Sequence, residues 1–368
     1  MIDSLTGKRV ALVHHWLLSM RGGERVLEAV AEMVPHAPIY TLFARPERLS
    51  ATLRNREIRT SFLNSLPVPF GDHRNLLPLF PRAVRGLDCR GFDVVLISDA
   101  GLTKGVRVDA DAKILCYCHS PMRSIWDLTA SYTRQLGAVR GAALRVIRPK
   151  LRAHDRRAAE RVNCFAANSR FVQDRIRRAY QRDSTVIYPP VRVPDSPPAR
   201  HPEDYYLMVG ELAEYKRADL GVQACAQMGR KLRVIGDGPQ MSLLKSLTGP
   251  TVELLGRTSD EEIREHLSRC RALLFCAEED FGIVPVEAMA AGCPVIAFGR
   301  GGATETVVAG QTGLFFEEQS SDGLVAAIER FEASETEFDS QVIHARAAEF
   351  SLEVFRETFA RWVNQNLA

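Results

Sequence analysis

Short apolar runs alternate with longer segments of helical periodicity along most of the chain. In the first half, the apolar runs predict strands at residues 9–13, 94–98, 112–116 and 164–167. After residue 204, the pattern predicts strands at 205–209, 231–235, 252–255, 272–276 and 294–298, with helices at 217–228, 260–270 and 284–291. Strands that alternate with helices are typical of parallel sheets covered by helices, so the α/β class is predicted.

A proline-rich segment interrupts this alternation. Residues 188–204 contain six prolines, which exclude a helix or a central strand and favour an extended linker at about 189–203. We therefore predict two doubly wound Rossmann-like domains, residues 1–190 and 200–350, and a C-terminal helix at about 352–368 that packs back on the first. Such folds bind ligands at the carboxyl ends of their strands, so we expect a ligand in a cleft between the two domains.

The composition is that of an ordinary globular protein. Of 368 residues, 46% are hydrophobic and 25% are charged, which excludes a disordered or collagen-like chain. The eight cysteines form no C-x-x-C pair, and several lie within apolar runs, so we predict reduced thiols and no metal site. Residues 1–9 lack the apolar region of a signal peptide, and no apolar run approaches ~20 residues, so a cytoplasmic protein is expected.

The near-neutral net charge of +3 conceals an uneven distribution. Residues 134–178 contain thirteen Lys and Arg but only three Asp and Glu. Residues 135–161 have the pattern of an amphipathic basic helix, which fits either a solvated surface or an anionic membrane. Nucleic-acid binding is disfavoured, because only Phe165 and Phe171 could stack on bases there. We expect salt-sensitive membrane binding that depends on four of the basic residues: Arg148, Lys150, Arg152 and Arg156.

The most informative segment is E-E-D-F-G-I-V-P-V-E, residues 278–287, which follows a predicted strand and opens a helix. Gly282 allows close approach of a ligand, and the first helical N–H groups, those of Ile283 and Val284, offer an anion site. Glu287, one turn inside the helix, could accept hydrogen bonds from a ribose diol, and Glu279 could reach a group beyond the phosphates. A glutamate near a helix N-terminus is also favourable for the dipole alone.

Three further glycine-bearing loops follow predicted strands. Gly210 precedes Lys216, which could pair with a diphosphate, and Gly236 begins G-D-G-P. Residues 298–305 form a second glycine-rich turn whose backbone N–H groups could hold a phosphate or a sugar hydroxyl. We expect the four loops to converge on one crevice.

The first half contains two related segments. Residues 14–25 follow the first strand and contain Gly22 and Gly23, but they do not match G-x-G-x-x-G, so a hydride-transfer dinucleotide site is disfavoured. Residues 117–127 follow another strand and contain His119. Taken alone, the glycines are typical of a tight turn, and a lone histidine is more often structural than catalytic.

Together these motifs resemble family 4 retaining glycosyltransferases. The resemblance rests on E-x-F-G-x-x-x-x-E-A-M-A-x-G-x-P-V at 279–295, G-G-x-x-E ending at Glu305, V-G-x-L-x-x-Y-K-R-A-D at 209–219, G-D-G-P and L-G-R-x-S-D at 255–260. It implies the GT-B fold, a nucleotide-diphospho-sugar donor in the C-terminal domain, and neither a metal nor another cofactor.

The resemblance also implies roles for individual residues. Glu287 would bind ribose hydroxyls, Lys216 the diphosphate, and Glu279 the sugar hydroxyls of the donor. The other donor-binding candidates are Gly22, Gly23, Gly210, Arg217, Gly236, Arg257, Phe281, Gly282, Ile283 and Val284. Glu211 stands where many members have arginine, so we expect either that Glu211 turns away from the donor or that Arg217 supplies the missing charge.

Residues 119–127 resemble the H-x-P-x-R-x-x-W-D segment of bacterial polysaccharide mannosyltransferases. This implies that His119 is catalytic with Lys216 and Glu279 and touches the transferred sugar. Arg123, Trp126 and Trp16 are then candidates for the acceptor end. The predicted function is hexose transfer, with GDP-mannose favoured over UDP- and dTDP-sugars, to a saccharide or polyprenyl-diphosphate-linked acceptor. A nucleotide-sugar epimerase and a catalytically silent sugar-nucleotide-binding protein are the alternatives, and the localisation is cytoplasmic or peripheral on the inner membrane face.

Overall fold

The computed structural model describes residues 2–68, 71–127 and 137–367, with no side chains described for residues 137–140. The chain divides into two compact units, of which the first comprises Met1–Pro190 and Glu353–Ala368 and the second Val191–Leu352. Each unit contains one sheet of parallel strands with connecting helices. The predicted α/β class with two Rossmann-like sheets is therefore confirmed.

Seven parallel strands form the sheet of the first unit, in the order β3-β2-β1-β4-β5-β6-β7. They are β1 Val10–His14, β2 Ile39–Thr41, β3 Ile58–Thr60, β4 Val94–Asp99, β5 Lys113–Cys118, β6 Cys164–Ala167 and β7 Thr185–Val186. All six residues of β4 are buried, as expected for a strand covered on both faces. The apolar pattern predicts four of these strands and misses β2, β3 and β7, which are only two or three residues long.

Six parallel strands form the sheet of the second unit, in the order β10-β9-β8-β11-β12-β13. They are β8 Tyr206–Val209, β9 Leu232–Ile235, β10 Val252–Gly256, β11 Leu273–Phe275, β12 Val295–Phe298 and β13 Gly313–Phe316. The apolar pattern predicts the first five and misses β13 at the sheet edge. Between β7 and β8 the chain forms no helix or strand, only an isolated bridge from Val191 to Ser351.

Helices connect the strands. Those of the first unit are α1 Gly22–Met33, α2 Ala51–Arg54, α3 Phe80–Gly86, α4 Arg123–Trp126, α5 Gly137–Glu160 and α6 Arg170–Tyr180. The second unit has α7 Ala218–Met228, α8 Met241–Leu247, α9 Asp260–Arg269, α10 Ile283–Ala290, α11 Ala303–Thr306, α12 Ser321–Ser334 and α13 Ser340–Ala348. The predicted basic helix corresponds to α5, although residues 135 and 136 lie outside the described residues.

The last helix, α14 Leu352–Leu367, belongs almost entirely to the first unit. Phe355 and Phe359 are buried, and their rings lie 6.0 and 6.4 Å from that of Tyr117 on β5. Arg356 forms an ion pair with Glu32 of α1. The first unit is therefore built from two separate stretches of chain.

Both sheets reverse their strand order at one point. β1 lies between β2 and β4, and β8 lies between β9 and β11. In such sheets the loops that leave the carboxyl ends on either side of the reversal separate and leave a crevice. Binding residues are therefore expected on the loops after β1, β4 and β5 in one unit and after β8, β9, β11 and β12 in the other.

Candidate functional site

The glycine-bearing loops of the second unit pack directly against one another. A Cβ added to Gly236 would lie 1.8 Å from the carbonyl oxygen of Gly210, and one added to Gly301 would lie 2.5 Å from that of Glu279. A Cβ on Gly302 would lie 2.3 Å from the Cα of Phe281. These glycines are required by contact between backbones, a reason that is independent of any ligand.

Lys216 and Glu279 meet because β8 and β11 are neighbours in the sheet. Lys216 lies on a short 3-10 turn after β8, and Glu279 lies on the loop after β11, 63 residues away. The ammonium donates to Oε1 of Glu279, and the two side chains are only 20% and 16% exposed. The loop that carries Glu279 is itself held by a hydrogen bond of 2.8 Å from Gly302 N to its carbonyl. The structure thus places two of the predicted catalytic residues in direct contact.

The helix α10 begins beside this pair. Gly282 caps it with a φ of 81°, a left-handed conformation that favours glycine, so the chain can turn sharply from the Glu279 loop into the helix. Ile283 and Val284 are the first two helical residues, and their N–H groups lack intrahelical acceptors. Glu287 is half-buried one turn later. Phe281 differs from the other candidates, because its ring is buried 5.6 Å from that of Phe350.

A shallow, open depression lies at the carboxyl ends of β8, β9 and β11. Gly210 and Lys216 line it, together with Glu211, and its floor is apolar and includes Val234 and Leu274. A crevice with an apolar floor and few polar groups at its rim is the usual form of a small-molecule site.

Three other charged residues of these loops, Arg217, Glu211 and Arg257, differ in their exposure and in their partners. Arg217 adopts a left-handed backbone conformation, with φ of 51°, and its guanidinium binds both carboxylate oxygens of Asp219 at 3.0 and 3.1 Å. Its charge is thus balanced locally, although Arg217 is the residue predicted to replace the missing arginine. Glu211 is exposed. Arg257 is 77% exposed and lies 3.6 Å from Asp237.

In the first unit, a group of buried polar side chains lies at the carboxyl ends of β1, β4 and β5. His14 Nδ1 is 3.1 Å from Ser98 Oγ, which is 2.8 Å from His119 Nε2. On its other side, His14 Nε2 is 4.0 Å from Glu24 Oε1. Sequence reasoning identified His119 but missed the other three, and the only sequence signal is that each belongs to a segment that ends or follows a strand.

The glycine loop of this unit rests on the same group. Gly22 and Gly23 open α1, and a Cβ on Gly23 would lie 3.6 Å from both His119 Nε2 and His14 Cε1. Glu24 caps the helix by accepting a hydrogen bond of 3.1 Å from Arg21 N. Burial raises the pKa of Glu24 to about 7, and burial holds the pKa of His14 well below its ordinary value. Trp16 lies beside this group, with its ring 4.7 Å from that of His15.

The candidate acceptor residue Trp126 is bound to α5. Its indole N–H donates to Asp155 Oδ2 at 2.8 Å, and the guanidinium groups of Arg152 and Arg156 each lie 5.0 Å from the ring centre. Arg152 also donates to the carbonyl oxygen of Trp126 at 2.9 Å. Two of the four arginine and lysine side chains predicted to bind a membrane therefore hold the segment that follows His119. Arg123, the first residue of α4, is half-exposed.

Beneath Trp126 lies a fully buried charge network. Lys104 Nζ is 2.5 Å from Asp99 Oδ2 and 3.0 Å from Asp155 Oδ1, and all three side chains are completely buried. Burial acts to lower the pKa of Lys104, but Asp155 and Asp99 outweigh it and hold that pKa well above its ordinary value. The backbone carbonyl of Asp99 accepts a hydrogen bond of 2.8 Å from His119 N, so this network supports the histidine group from below.

The fold and these loops define the class of protein. Two Rossmann-like units, each with its polar side chains and glycine loops at the carboxyl edge of a parallel sheet, form the GT-B architecture. The family described as Glycosyltransferase Family 4 matches residues 20–193, and the family described as Glycosyl transferases group 1 matches residues 193–348. The chain belongs to the family 4 glycosyltransferases, as the sequence motifs predict.

Similar proteins agree with this assignment. An uncharacterized glycosyltransferase of Methanocaldococcus jannaschii is 32% identical over 126 residues, 33% of this chain and 36% of that protein. An alpha-1,3/1,6-mannosyltransferase of Neurospora crassa is 49% identical over 69 residues, 18% of this chain and 15% of that protein. The chain thus spans about a third or less of the length of these two relatives. HepE of Anabaena, crystallised with UDP and glucose, has the same fold, with a TM-score of 0.71 at 17% identity over 97% of this chain and 99% of that one.

Two kinds of feature are absent from residues 2–68, 71–127 and 137–367, the part of the chain that the structure describes. Among those residues, no three His, Cys, Asp or Glu side chains are grouped so that they could hold a metal ion. No described helix is long and apolar enough to cross a bilayer.

Proposed function

We propose that this chain is a retaining, metal-independent glycosyltransferase that transfers mannose from GDP-mannose to a saccharide acceptor. The observation that carries the proposal is the Lys216–Glu279 pair beside the N-terminus of α10. A cation and free helical N–H groups are complementary to a diphosphate, and the neighbouring carboxylates can accept hydrogen bonds from hydroxyls. The mannosyltransferase of Neurospora crassa, the more identical of the two relatives over its aligned segment, supports mannose as the sugar.

Each part of the nucleotide-sugar donor has a binding partner in this arrangement. Lys216 and the N–H groups of Ile283 and Val284 would hold the diphosphate, and Glu287 would accept from the ribose hydroxyls. The ammonium of Lys216 would then contact both the diphosphate and Glu279. The second carboxylate oxygen of Glu279 could accept a hydrogen bond from a sugar hydroxyl. In the first unit, His119 would contact the transferred sugar.

Retention follows most simply from a front-face substitution. A double displacement would need a carboxylate nucleophile at the anomeric carbon, and the acids of these motifs, Glu279 and Glu287, are assigned to sugar and ribose hydroxyls. In the front-face reaction, the bond from the anomeric carbon to the diphosphate breaks while the acceptor oxygen bonds on the same face. Lys216 and the helix-end N–H groups stabilise the charge on the leaving diphosphate, and a diphosphate oxygen takes the acceptor proton.

A second candidate donor is a UDP-hexose, which is supported by the UDP bound to HepE of Anabaena. A dTDP-sugar is a third. An epimerase acting on the same nucleotide sugars is separated by its product, because it would isomerise the donor without any acceptor.

Thermal stability distinguishes the donors. A ligand at about 100 times its Kd stabilises the protein that binds it by about 2.7 kcal/mol, which for a unit of this size corresponds to a Tm increase of roughly 5–10 °C. We expect GDP-mannose and GDP to produce this increase, and UDP- and dTDP-sugars to produce less. The measurement is a melting curve with each nucleotide, with inorganic diphosphate as the control for phosphate binding alone. A larger shift with a UDP-sugar would replace the proposed donor, and no shift with any nucleotide sugar would contradict the proposal.

We further propose that the acceptor is linked to a polyprenyl diphosphate and that α5 holds the protein at an anionic membrane. Arg145 and Lys150 are exposed, Arg148 is partly exposed, and Val146 between them is 75% exposed. An exposed apolar side chain among basic ones is the arrangement of an interfacial helix. Arg152 and Arg156 are left out of this surface, because they hold Trp126.

Replacing Arg145, Arg148 and Lys150 by glutamine is expected to weaken binding to anionic vesicles about a hundredfold. The expectation rests on roughly 1 kcal/mol per basic residue at such a surface. Vesicle sedimentation at low and high salt measures it. The control is Lys245→Gln with Arg264→Gln, which removes two exposed basic residues from helices of the second unit. Equal binding by the triple variant and the wild type would show that α5 is an ordinary solvated surface.

A further inference from the structure

The polar group at the carboxyl ends of β1, β4 and β5 forms a row of four side chains, of which His119 is half-buried and the other three are buried. Glu24 Oε1 lies 4.0 Å from His14 Nε2, His14 Nδ1 lies 3.1 Å from Ser98 Oγ, and Ser98 Oγ lies 2.8 Å from His119 Nε2. The parallel register of β1 and β4 pairs His14 with Ser98 and so fixes the middle contact. Glu24 is 4% exposed, Ser98 5% and His14 not at all, and the buried His14 Nε2, 4.0 Å from Glu24 Oε1, makes no hydrogen bond in this structure.

Counting hydrogens limits this chain to two ordered arrangements. A serine hydroxyl has one hydrogen, and a neutral imidazole carries one hydrogen on one of its two nitrogens. When Glu24 is ionised, it favours a hydrogen on His14 Nε2, so Ser98 donates to His14 Nδ1 and accepts from His119 Nε2–H. When Glu24 is protonated, a side-chain movement of about 1 Å lets it donate to His14 Nε2, so His14 Nδ1–H donates to Ser98, and Ser98 donates to His119 Nε2.

We propose that Glu24, His14 and Ser98 form a proton relay that stores on Glu24 a proton taken up at His119 Nδ1. His119 accepts the proton at Nδ1 and passes its Nε2 hydrogen to Ser98. Ser98 passes its hydroxyl hydrogen to His14 Nδ1, and His14 passes its Nε2 hydrogen to Glu24 when the carboxylate moves about 1 Å closer, to hydrogen-bond distance. The balance is one proton gained by Glu24, and both imidazoles stay neutral and change tautomer.

The surroundings of the chain suit this role. Burial raises the pKa of Glu24 to about 7, so both of its protonation states are accessible near neutral pH. Burial, together with His15 and His119, holds the pKa of His14 well below its ordinary value, so His14 is neutral in both arrangements. The titratable and charged groups that face the chain are Arg21 beside Glu24, His15 directly after β1, and Asp99 at the end of β4, and Lys104 faces His15.

The relay adds to the proposed function. Its use in sugar transfer rests on that proposed function. His119 is the residue expected to touch the transferred sugar, and the two arrangements present its Nδ1 as an acceptor or as a donor to a sugar hydroxyl. Glu24 also caps the helix that Gly22 and Gly23 open. The relay would therefore connect the glycine loop to His119, the residue expected to contact the sugar. Glu24, His14 and Ser98 are positioning residues, since they act through His119.

The tautomers of His119 test the relay without any substrate. The full chain would be labelled with 15N-histidine, and the two ring nitrogens of His119 would be assigned by comparison with His119→Gln among the nine histidines. A long-range 1H–15N spectrum reports which ring nitrogen carries the hydrogen. Between about pH 6 and 9, we expect His119 of the wild type to change from Nδ1–H to Nε2–H as Glu24 ionises.

Two variants break the chain and one preserves it. Ser98→Ala and Glu24→Leu are each expected to abolish the pH dependence of the His119 tautomer, whereas Ser98→Thr, which keeps the hydroxyl, retains it. A tautomer that does not change with pH, that still changes in Ser98→Ala, or a transition that protonates both nitrogens of His119 would overturn the relay. If the tautomers behave as expected but the protein transfers no sugar from any donor, the proposed function fails and the relay stands.

Discussion

Replacing Lys216 by alanine is expected to lower kcat/KM for sugar transfer by a factor of 10²–10³. Lys216 is the cation beside the helix end where the leaving diphosphate is proposed to bind, and loss of one preorganised charge-stabilising group typically costs about 2.7–4 kcal/mol in the transition state. Removing the ammonium also leaves Glu279 without the partner it now contacts, and its carboxylate would then repel the diphosphate. Steady-state kinetics with the donor identified by thermal stability measure the effect.

Three comparisons separate charge stabilisation from loss of structure. Lys216→Arg keeps the charge and is expected to retain more activity than Lys216→Ala. Adding Glu279→Gln to Lys216→Ala removes the repulsion and is expected to recover nucleotide binding without recovering kcat. Lys231→Ala is the matched control, because Lys231 is an exposed lysine that precedes β9, at the opposite edge of the same sheet. Wild-type kinetics in Lys216→Ala would eliminate the diphosphate site.

Replacing Lys104 by methionine is expected to destabilise the first unit by about 3–5 kcal/mol. The change leaves Asp99 and Asp155 as buried carboxylates without their cation, and breaking a buried ion pair from one side typically costs this much. Urea unfolding followed by tryptophan fluorescence reports on the right unit, because all three tryptophans, at positions 16, 126 and 362, belong to it. Lys113→Met, an exposed lysine at the start of β5, is expected to change the stability by less than about 0.5 kcal/mol.

Two further substitutions are expected to restore part of the stability that Lys104→Met removes. Combining it with Asp99→Asn and Asp155→Asn removes all three charges, and we expect this triple variant to be more stable than Lys104→Met by at least about 2 kcal/mol. A triple variant as unstable as the single one would mean that the side-chain packing of Lys104, and not its charge, is what matters.

The network also has a defined pH dependence. Burial raises the pKa of Asp99, but Lys104 and Thr103 outweigh it and hold that pKa below its ordinary value, and the pKa of Lys104 lies above its own. The contribution of Asp99 to folding stability is therefore present above about pH 4 and is lost as the pH falls further. The contribution of Lys104 is present below about pH 10 and is lost only at higher pH. We expect the wild type to lose stability on acidification below pH 4 more steeply than the triple variant.

The sequence was sufficient for the architecture and for the outline of the second-unit site. Short apolar runs predict most of the strands. Two residues that follow neighbouring strands of a parallel sheet must lie at the same edge. This is why Lys216 and Glu279, 63 residues apart, could be expected in one crevice. The apolar pattern misses β2, β3 and β7 because a strand of two or three residues is too short to show a periodic pattern of apolar side chains. The pairing of these strands depends on neighbouring strands from elsewhere in the chain.

Other features depend on contacts that no local pattern contains. The chain from Glu24 to His119 requires the register of β1 against β4, which brings together residues 84 positions apart. Asp155 is one acid within a basic helix, and its burial against Lys104 follows from the way α5 packs. For the same reason the basic run overstates the surface available to a membrane, since Arg152 and Arg156 are used to hold Trp126.

The return of α14 to the first unit has a consequence for synthesis of the chain. Phe355, Phe359 and Trp362 are buried in the first unit, yet the ribosome makes them after the whole of the second. The usual order, in which the N-terminal domain folds first as the chain emerges, therefore cannot be completed here. The second unit, whose sequence is continuous, can finish folding while the first still exposes the apolar surface around Tyr117 that α14 will cover. During translation the N-terminal half is thus the part that depends longest on protection from aggregation.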